Sequence, residues 1–307
     1  MNVLIVPNFC FYKSLGFFLP LQNFLFMLKK QDILLTLVVM SLLGCVWASN
    51  KSSEDKNSDA ENTPKMAKKK EKTAQELKDE NIRDSTSVAY LMGKFDPAKH
   101  PDFVRIAARY TDKKEAYLRK ETYEAFEKMA EAAAKDKIQL KILSATRNFD
   151  RQKKIWEDKW LGRIKIEDGT NAAKSIKDSK KRALKILNYS AMPGSSRHHW
   201  GTDLDLNYLS DDYFSHGQGK QIYAWLQENA ATYGFCQPYS DKKNGRTGYN
   251  EEKWHWSYAP LSAGFTAAAK AKMSSEMVVG GFAGSETAPD IDIVKNYVLG
   301  INPNCFE

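Results

Sequence analysis

The sequence holds only four cysteines in 307 residues, Cys10, Cys45, Cys236 and Cys305, and no two are spaced as Cys-x-x-Cys. A cysteine zinc site is therefore not expected. An arginine-rich block interleaved with aromatics is also missing, as is any nucleic-acid-binding motif, so no nucleic acid is expected as a partner. The net charge of +8 stays compatible with a membrane surface or an anionic polymer. There is no internal repeat and no regular alternation of strands with helices, which argues against a doubly wound parallel sheet. From Ser49 to Thr86 large apolar residues are nearly absent, while Lys, Glu, Asp, Ser and Asn abound and Lys68-Lys69-Lys70 forms a basic run. Such a stretch cannot bury enough surface to offset its ordering entropy, and residues 49–86 read as a solvated tether.

What is present divides into an export region and a globular part. Met27-Leu28-Lys29-Lys30 precedes an apolar run from Ile33 to Val46, the pattern of a secretory signal over residues 27–48. The run ends in Leu42-Leu43-Gly44-Cys45, which resembles a bacterial lipoprotein box with Cys45 as the lipidated residue; ordinary cleavage after Ala48 is the alternative. Residues 1–26 contain one lysine and no acid. They read as an extension ahead of Met27, or else as part of a longer apolar anchor. An exported, periplasmic monomer follows, touching a membrane only through a lipid anchor at Cys45. In an oxidising compartment Cys236 and Cys305 either pair or remain two buried thiols.

Residues 87–307 read as the folded domain, with 42% hydrophobic and 12% aromatic residues in the whole chain supplying its core. Leu118, Phe126, Met129 and Ala133 form an apolar stripe predicting a helix over 115–135. Ile138, Leu140 and Ile142 alternate as in a strand. Further helices are expected over 149–160, 174–187 (or a loop there), 221–233 and 290–299, with an alanine-rich helix from Ala267. Residues 202–208 and 254–258 alternate as strands, the first with one polar face. The fold class is α+β, a small antiparallel sheet flanked by helices.

Five histidines occur, and two lie in suggestive settings. One segment runs Ser196-Arg197-His198-His199-Trp200-Gly201-Thr202-Asp203-Leu204-Asp205; the other is Glu252-Lys253-Trp254-His255. A catalytic zinc takes three protein ligands and keeps one open position. His198 at the start of a strand, Asp205 within it and His255 on another strand suit that requirement. Either segment alone carries little weight, since a lone His beside an Asp is usually a hydrogen-bonded pair.

Ser-x-His-x-x-Gly-x-x-x-Asp followed about fifty residues later by Glu-x-Trp-His resembles the zinc D-alanyl-D-alanine carboxypeptidases of the VanY type. Their superfamily includes lysostaphin-like peptidases and the hedgehog domain. The resemblance runs from about Tyr90 to the C-terminus and implies a zinc-bearing sheet of the hedgehog/D-Ala-D-Ala peptidase kind. It implies zinc on His198, Asp205 and His255, with Glu252 as general base. It also implies an Arg and a Gln five residues apart, here Arg147 and Gln152. Thr146 and Asn148 depart from the aromatic and Ser usual beside that Arg, and Asp203 stands where many relatives have Ala.

By strand parity Asp203 and Asp205 share a face, so Asp203 is read as an acceptor orienting a ligand. His199 should point away from His198 if both lie on a strand. Parity also puts Glu252 opposite His255, so a bend before that strand is required; the resemblance supplies it. Arg147 would hold an oxyanion or a carboxylate, and Ser196 and Gln152 would contact substrate. The implied activity is removal of terminal D-alanine from peptidoglycan stem peptides. An endopeptidase with the same site is the near alternative, and a non-catalytic hedgehog-like zinc domain the distant one.

Overall fold

The computed structural model describes residues 85–306. The expected N-terminal extension, export signal and nearly all of the tether lie outside the described residues. Among the described residues no helix is long and apolar enough to cross a membrane.

After a short helix α1 (Val88–Leu91), strands β1 (Phe103–Arg105) and β2 (Tyr117–Arg119) pair antiparallel and run straight into helix α2 (Lys120–Lys135). The helix thus starts five residues later than its sequence stripe, because Tyr117–Arg119 is taken by the ladder to β1. Tyr123, Phe126, Met129, Ala130 and Ala133 fill its buried face. Lys137, at φ 62°, turns the chain, and Ile138 N–H bonds back to Ala133 O at 2.9 Å. The expected strand over 138–142 is therefore delayed to β3 (Ile142–Ser144).

Helix α3 (Phe149–Trp160) has the expected bounds, capped by Asn148, whose side chain accepts from Arg151 N–H at 3.0 Å. The basic stretch that follows is two helices, α4 (Ala172–Ser175) and α5 (Ser179–Ile186), divided where Asp178 caps the second. A 3-10 turn, Arg197–Trp200, then leads into strand β4 (Asp203–Leu206). Helix α6 (Gly217–Asn229) tightens into a 3-10 turn and stops at Gly234, φ 80°. Strands β5 (Phe235–Cys236) and β6 (His255–Tyr258) precede α7 (Ala259–Lys272), which begins eight residues ahead of expectation with Pro260 in its first turn. The expected last helix is broken at Asp292, φ 51°, into α8 (Ala288–Ile291) and a π-turn at Val294–Val298.

The main sheet has the order β3-β4-β6-β5 with every neighbour antiparallel, in agreement with the α+β reading. Its register pairs Asp203 with Ser257, Leu204 with Trp256 and Asp205 with His255. Side-chain alternation puts Leu204, Leu206 and Trp256 on one face, in a core with Phe126 and Met129 of α2 and Ile222 and Leu226 of α6. The other face carries Asp203, Asp205, Ser257 and His255. The alternation predicts a half-buried strand with one polar face, but all four residues of β4 are buried. The 3-10 turn and α7 cover the polar face, joined by a bond from Arg197 to Thr266. A second core gathers Trp156 and Trp160 of α3, Trp200, Phe265 and the C-terminal segments. Cys236 and Cys305 form a disulfide, tying the tail to the edge strand.

Candidate metal centre

Three elements deliver the site. Residues 145–147 leave β3 and meet the 3-10 turn: Arg147 N–H donates to His198 O at 3.1 Å. Gly201, at φ 76°, reverses the chain from that turn into β4, and a Cβ there would collide with the Phe103 ring. The β4–β6 register then sets Asp205 opposite His255. The outcome is a buried group of His198, Asp205 and His255 whose donor atoms lie within 4.8 Å of one another. His198 Nε2 is 3.3 Å and His255 Nδ1 3.2 Å from Asp205 Oδ1.

The far side of each imidazole fixes which nitrogen is left for a metal. His198 Nδ1 lies 2.9 Å from Ala145 O, which can only accept, so Nδ1 carries the proton and Nε2 faces Asp205. His255 Nε2 lies 2.9 Å from Asp203 Oδ2 and donates to it. Metal-binding histidines usually have such partners. His198 Nε2 and Asp205 Oδ1 are buried and make no well-aligned hydrogen bond, a costly arrangement that a cation at their meeting point would relieve. Two imidazole nitrogens and one carboxylate suit a divalent ion such as zinc.

Electrostatics favour the same conclusion. Burial, aided by the positive Arg147, lowers His198 to about 4 and keeps it neutral. Burial would raise Asp205, yet the two histidines hold it well below the usual carboxylate range. Burial likewise opposes charge on His255, but Asp203, Asp205 and Glu252 outweigh it and push this histidine well above its ordinary value. Without a metal, the proton on His255 is the cation that these carboxylates demand; a divalent ion would displace it.

Asp203 is fully buried and accepts from Arg197 Nε (3.1 Å), Thr202 Oγ1 (2.8 Å), Ser257 Oγ (2.7 Å) and His255. Burial alone would raise its pKa; the charges of Arg197 and His255 lower it instead. Asp203 thus contacts His255 on the ring nitrogen that faces away from Asp205. Arg197, which the sequence reading left without a role, is what keeps that buried carboxylate ionised. It also bonds Thr266 and Ser257 and lies over the Trp200 ring at 4.5 Å. The available signal was the second Asp itself, since a buried carboxylate needs a countercharge.

Glu252 occupies a turn just before β6, where His255 N–H donates to Glu252 O at 3.2 Å. The required bend is thus present, and Glu252 Oε2 comes within 3.3 Å of His255 Nδ1. Burial raises Glu252 to about 7. The turn is held by Glu252 N–H to Tyr239 O (2.9 Å) and by Gln237 Nε2 to Glu252 O (3.2 Å). Asp205, Glu252 and Arg147 open onto a cavity of about 710 Å³, also lined by Trp254 and Tyr189. Arg147 is half-buried, and its Nε has no partner.

Two expected substrate contacts lie elsewhere. Gln152 is buried, its amide donating to Ala191 O at 2.8 Å, and it does not line this cavity. Ser196 is also buried, preceding the 3-10 turn, and is not on the cavity wall. His199 does point away from His198, but for another reason than strand alternation. Both belong to the 3-10 turn, and His199 is held between Arg147 O and Gly194 N–H.

Residues 115–261 match the family model described as VanY, D-alanyl-D-alanine carboxypeptidase. The chain is 29% identical over 48% of its length to YodJ, a candidate carboxypeptidase of Bacillus subtilis, covering 48% of that protein. It is 30% identical over 43% of its length to a D-alanyl-D-alanine carboxypeptidase of Enterococcus faecalis, covering 45% of it. The chain thus spans about half the length of these curated relatives. Among solved structures it is similar to VanYB in complex with D-alanine-D-alanine, at 23% identity and TM-score 0.42, over 57% of this chain and 87% of that one.

Proposed function

We propose, from the premise that residues 115–261 form a VanY-type domain, that this chain is a zinc carboxypeptidase removing terminal D-alanine from peptidoglycan stem peptides. The observation that carries the reading is the pair of lone-pair atoms without a well-aligned hydrogen bond, His198 Nε2 and Asp205 Oδ1, converging with His255 beside a cavity that holds Glu252. His198, Asp205 and His255 would hold the zinc. When bound, zinc supplies an electrophilic centre that acidifies water and polarises the scissile carbonyl.

Glu252 is the general base. Its raised pKa and its turn before β6 suit a carboxylate that takes a proton from water and returns it to the leaving amine. Arg147 offers its guanidinium fork to the oxyanion or to the terminal carboxylate. Asp203, itself fixed by Arg197, orients His255. Gln152, bonded to Ala191 O, and the buried Ser196 are read as supporting the loop that leads to His198 rather than touching the peptide. The presence of both Glu252 and Arg147 at the cavity favours catalysis over a hedgehog-like binding role. The substrate polymer lies outside the cytoplasm, so the chain works as an exported monomer, anchored through Cys45 where that residue is lipidated.

Mass spectrometry of defined stem pentapeptides incubated with the zinc-loaded full chain tests this. Loss of one terminal alanine is expected. Internal cuts would replace the carboxypeptidase with an endopeptidase, and intact peptides would overturn the hydrolase.

A further inference from the structure

The cavity has a basic wall that the reaction as described leaves partly unused. Lys113, from the loop before β2, and Arg151, in the first turn of α3, line it together with Arg147. These three cations, with Lys159 a fourth that is paired to Glu167, therefore face one space that also holds Asp205 and Glu252. Neither Lys113 nor Arg151 has an ion-pair partner among the described residues. Acids line the same space as well, Glu167, Asp168, Asp205, Asp211, Asp212 and Glu252, and the first two and Asp211 already have partners at its wall. Glu167 pairs with Lys159, Asp168 with Lys185, and Asp211 accepts from Lys253 N–H.

This arrangement costs the fold rather than stabilising it. Partial burial and mutual repulsion with Arg147 make charge on Lys113 and on Arg151 harder to hold. Arg151 also lies at a helix N-terminus, where the backbone dipole disfavours a cation. Cations gathered at a cavity against such costs suit an anionic ligand. In the reading above Arg147 serves one carboxylate or the oxyanion. The other two are then in excess of what a peptide ending in neutral D-alanines requires.

We propose that Lys113 and Arg151 form, beside Arg147, a subsite for a second carboxylate of the peptide. The chain would thereby select stem peptides with a free carboxylate on the N-terminal side of the scissile bond over peptides amidated there. This rests on the peptidase reading of the same site. Two carboxylates of a stem peptide fit the description: one on the side chain of a diamino-dicarboxylic residue, and the α-carboxylate of a γ-linked glutamate.

The test is calorimetric binding to the zinc-loaded full chain, using product-length stem peptides that differ only in amidation. A free-acid peptide should bind roughly 10-fold or more tightly than its doubly amidated counterpart, and the difference should shrink at high salt. Amidating each carboxylate singly identifies the source, and a loss with either one supports the subsite. In the double variant Lys113→Ala/Arg151→Ala the preference should vanish; circular dichroism checks that this variant is folded, and Lys113→Gln or Arg151→Gln alone should each reduce the preference. Equal binding of free and amidated peptides by the unsubstituted chain overturns the proposal. So does a preference that survives the double substitution. A chain that prefers the free acid yet cleaves no peptide would sink the hydrolase reading and leave this subsite standing.

Discussion

Replacing Asp203 with Ala should damage the protein in two separable ways. The carboxylate and Arg197 are 3.1 Å apart, and both side chains are wholly shielded from solvent. Removing one partner strands a charge in the interior, which costs about 3–5 kcal/mol. Thr202 and Ser257 lose an acceptor as well, each worth roughly 1 kcal/mol. At about 2–4 °C per kcal/mol for a domain of this size, the metal-free variant should melt roughly 10–30 °C lower. The second effect is on the metal. His255 loses the acceptor that fixes its ring, and zinc affinity should fall roughly 10- to 100-fold. Adding Arg197→Met removes the stranded cation, so most of the stability should return while zinc affinity stays weak. Thermal unfolding and competitive zinc titration of the single and double variants read both quantities. An Asp203→Ala chain that melts and binds zinc like the parent would refute the reasoning. Recovery of zinc affinity in the double variant would refute the assigned link to His255.

Glu252→Gln should keep its zinc and lose at least ~100-fold in kcat. The base works only when ionised, so the parent's rate should rise with pH through a pKa at or below about 7, since a nearby cation favours the carboxylate. In the metal-free chain the folded pKa of Glu252 lies above its unfolded value. Its contribution to stability is therefore complete below about pH 4.3 and lost as pH rises through 7. Glu252→Gln should accordingly raise the melting temperature of metal-free protein at pH 8 and have little effect near pH 4, which pH-resolved calorimetry checks. Zinc uptake at pH 7 should release protons, chiefly from His255, visible as a binding heat that scales with the buffer's ionisation enthalpy. Cys236→Ser with Cys305→Ser opens a link spanning 69 residues and should cost about 2–5 kcal/mol in urea unfolding; no change would show that the tail is held without it.

The grouping of His198, Asp205 and His255 was legible because sequence spacing and sheet geometry coincide. Asp205 and His255 are fifty residues apart in the chain but face each other across β4 and β6. Strand alternation correctly grouped Asp203 with Asp205, because parity along a strand is a local property. The turn that brings Glu252 round was visible only as a requirement, since alternation says nothing about where a strand begins. Helix α3 keeps its expected bounds, its start fixed locally by the Asn148 cap, whereas α2 lost its first turn to a partner strand that local periodicity cannot see. Burial of the polar face of β4 depends on α7, more than fifty residues later, so Arg197 had no visible role. Lys113 meets Arg151 by tertiary proximity alone.

Zinc content of the dialysed full chain, measured by elemental analysis beside its His198→Ala, Asp205→Ala and His255→Ala variants, tests the central claim most directly. One zinc per parent chain, and substantially less than one in each variant, is the predicted result. A parent chain that retains no zinc, or variants that each still carry a full equivalent, would contradict it.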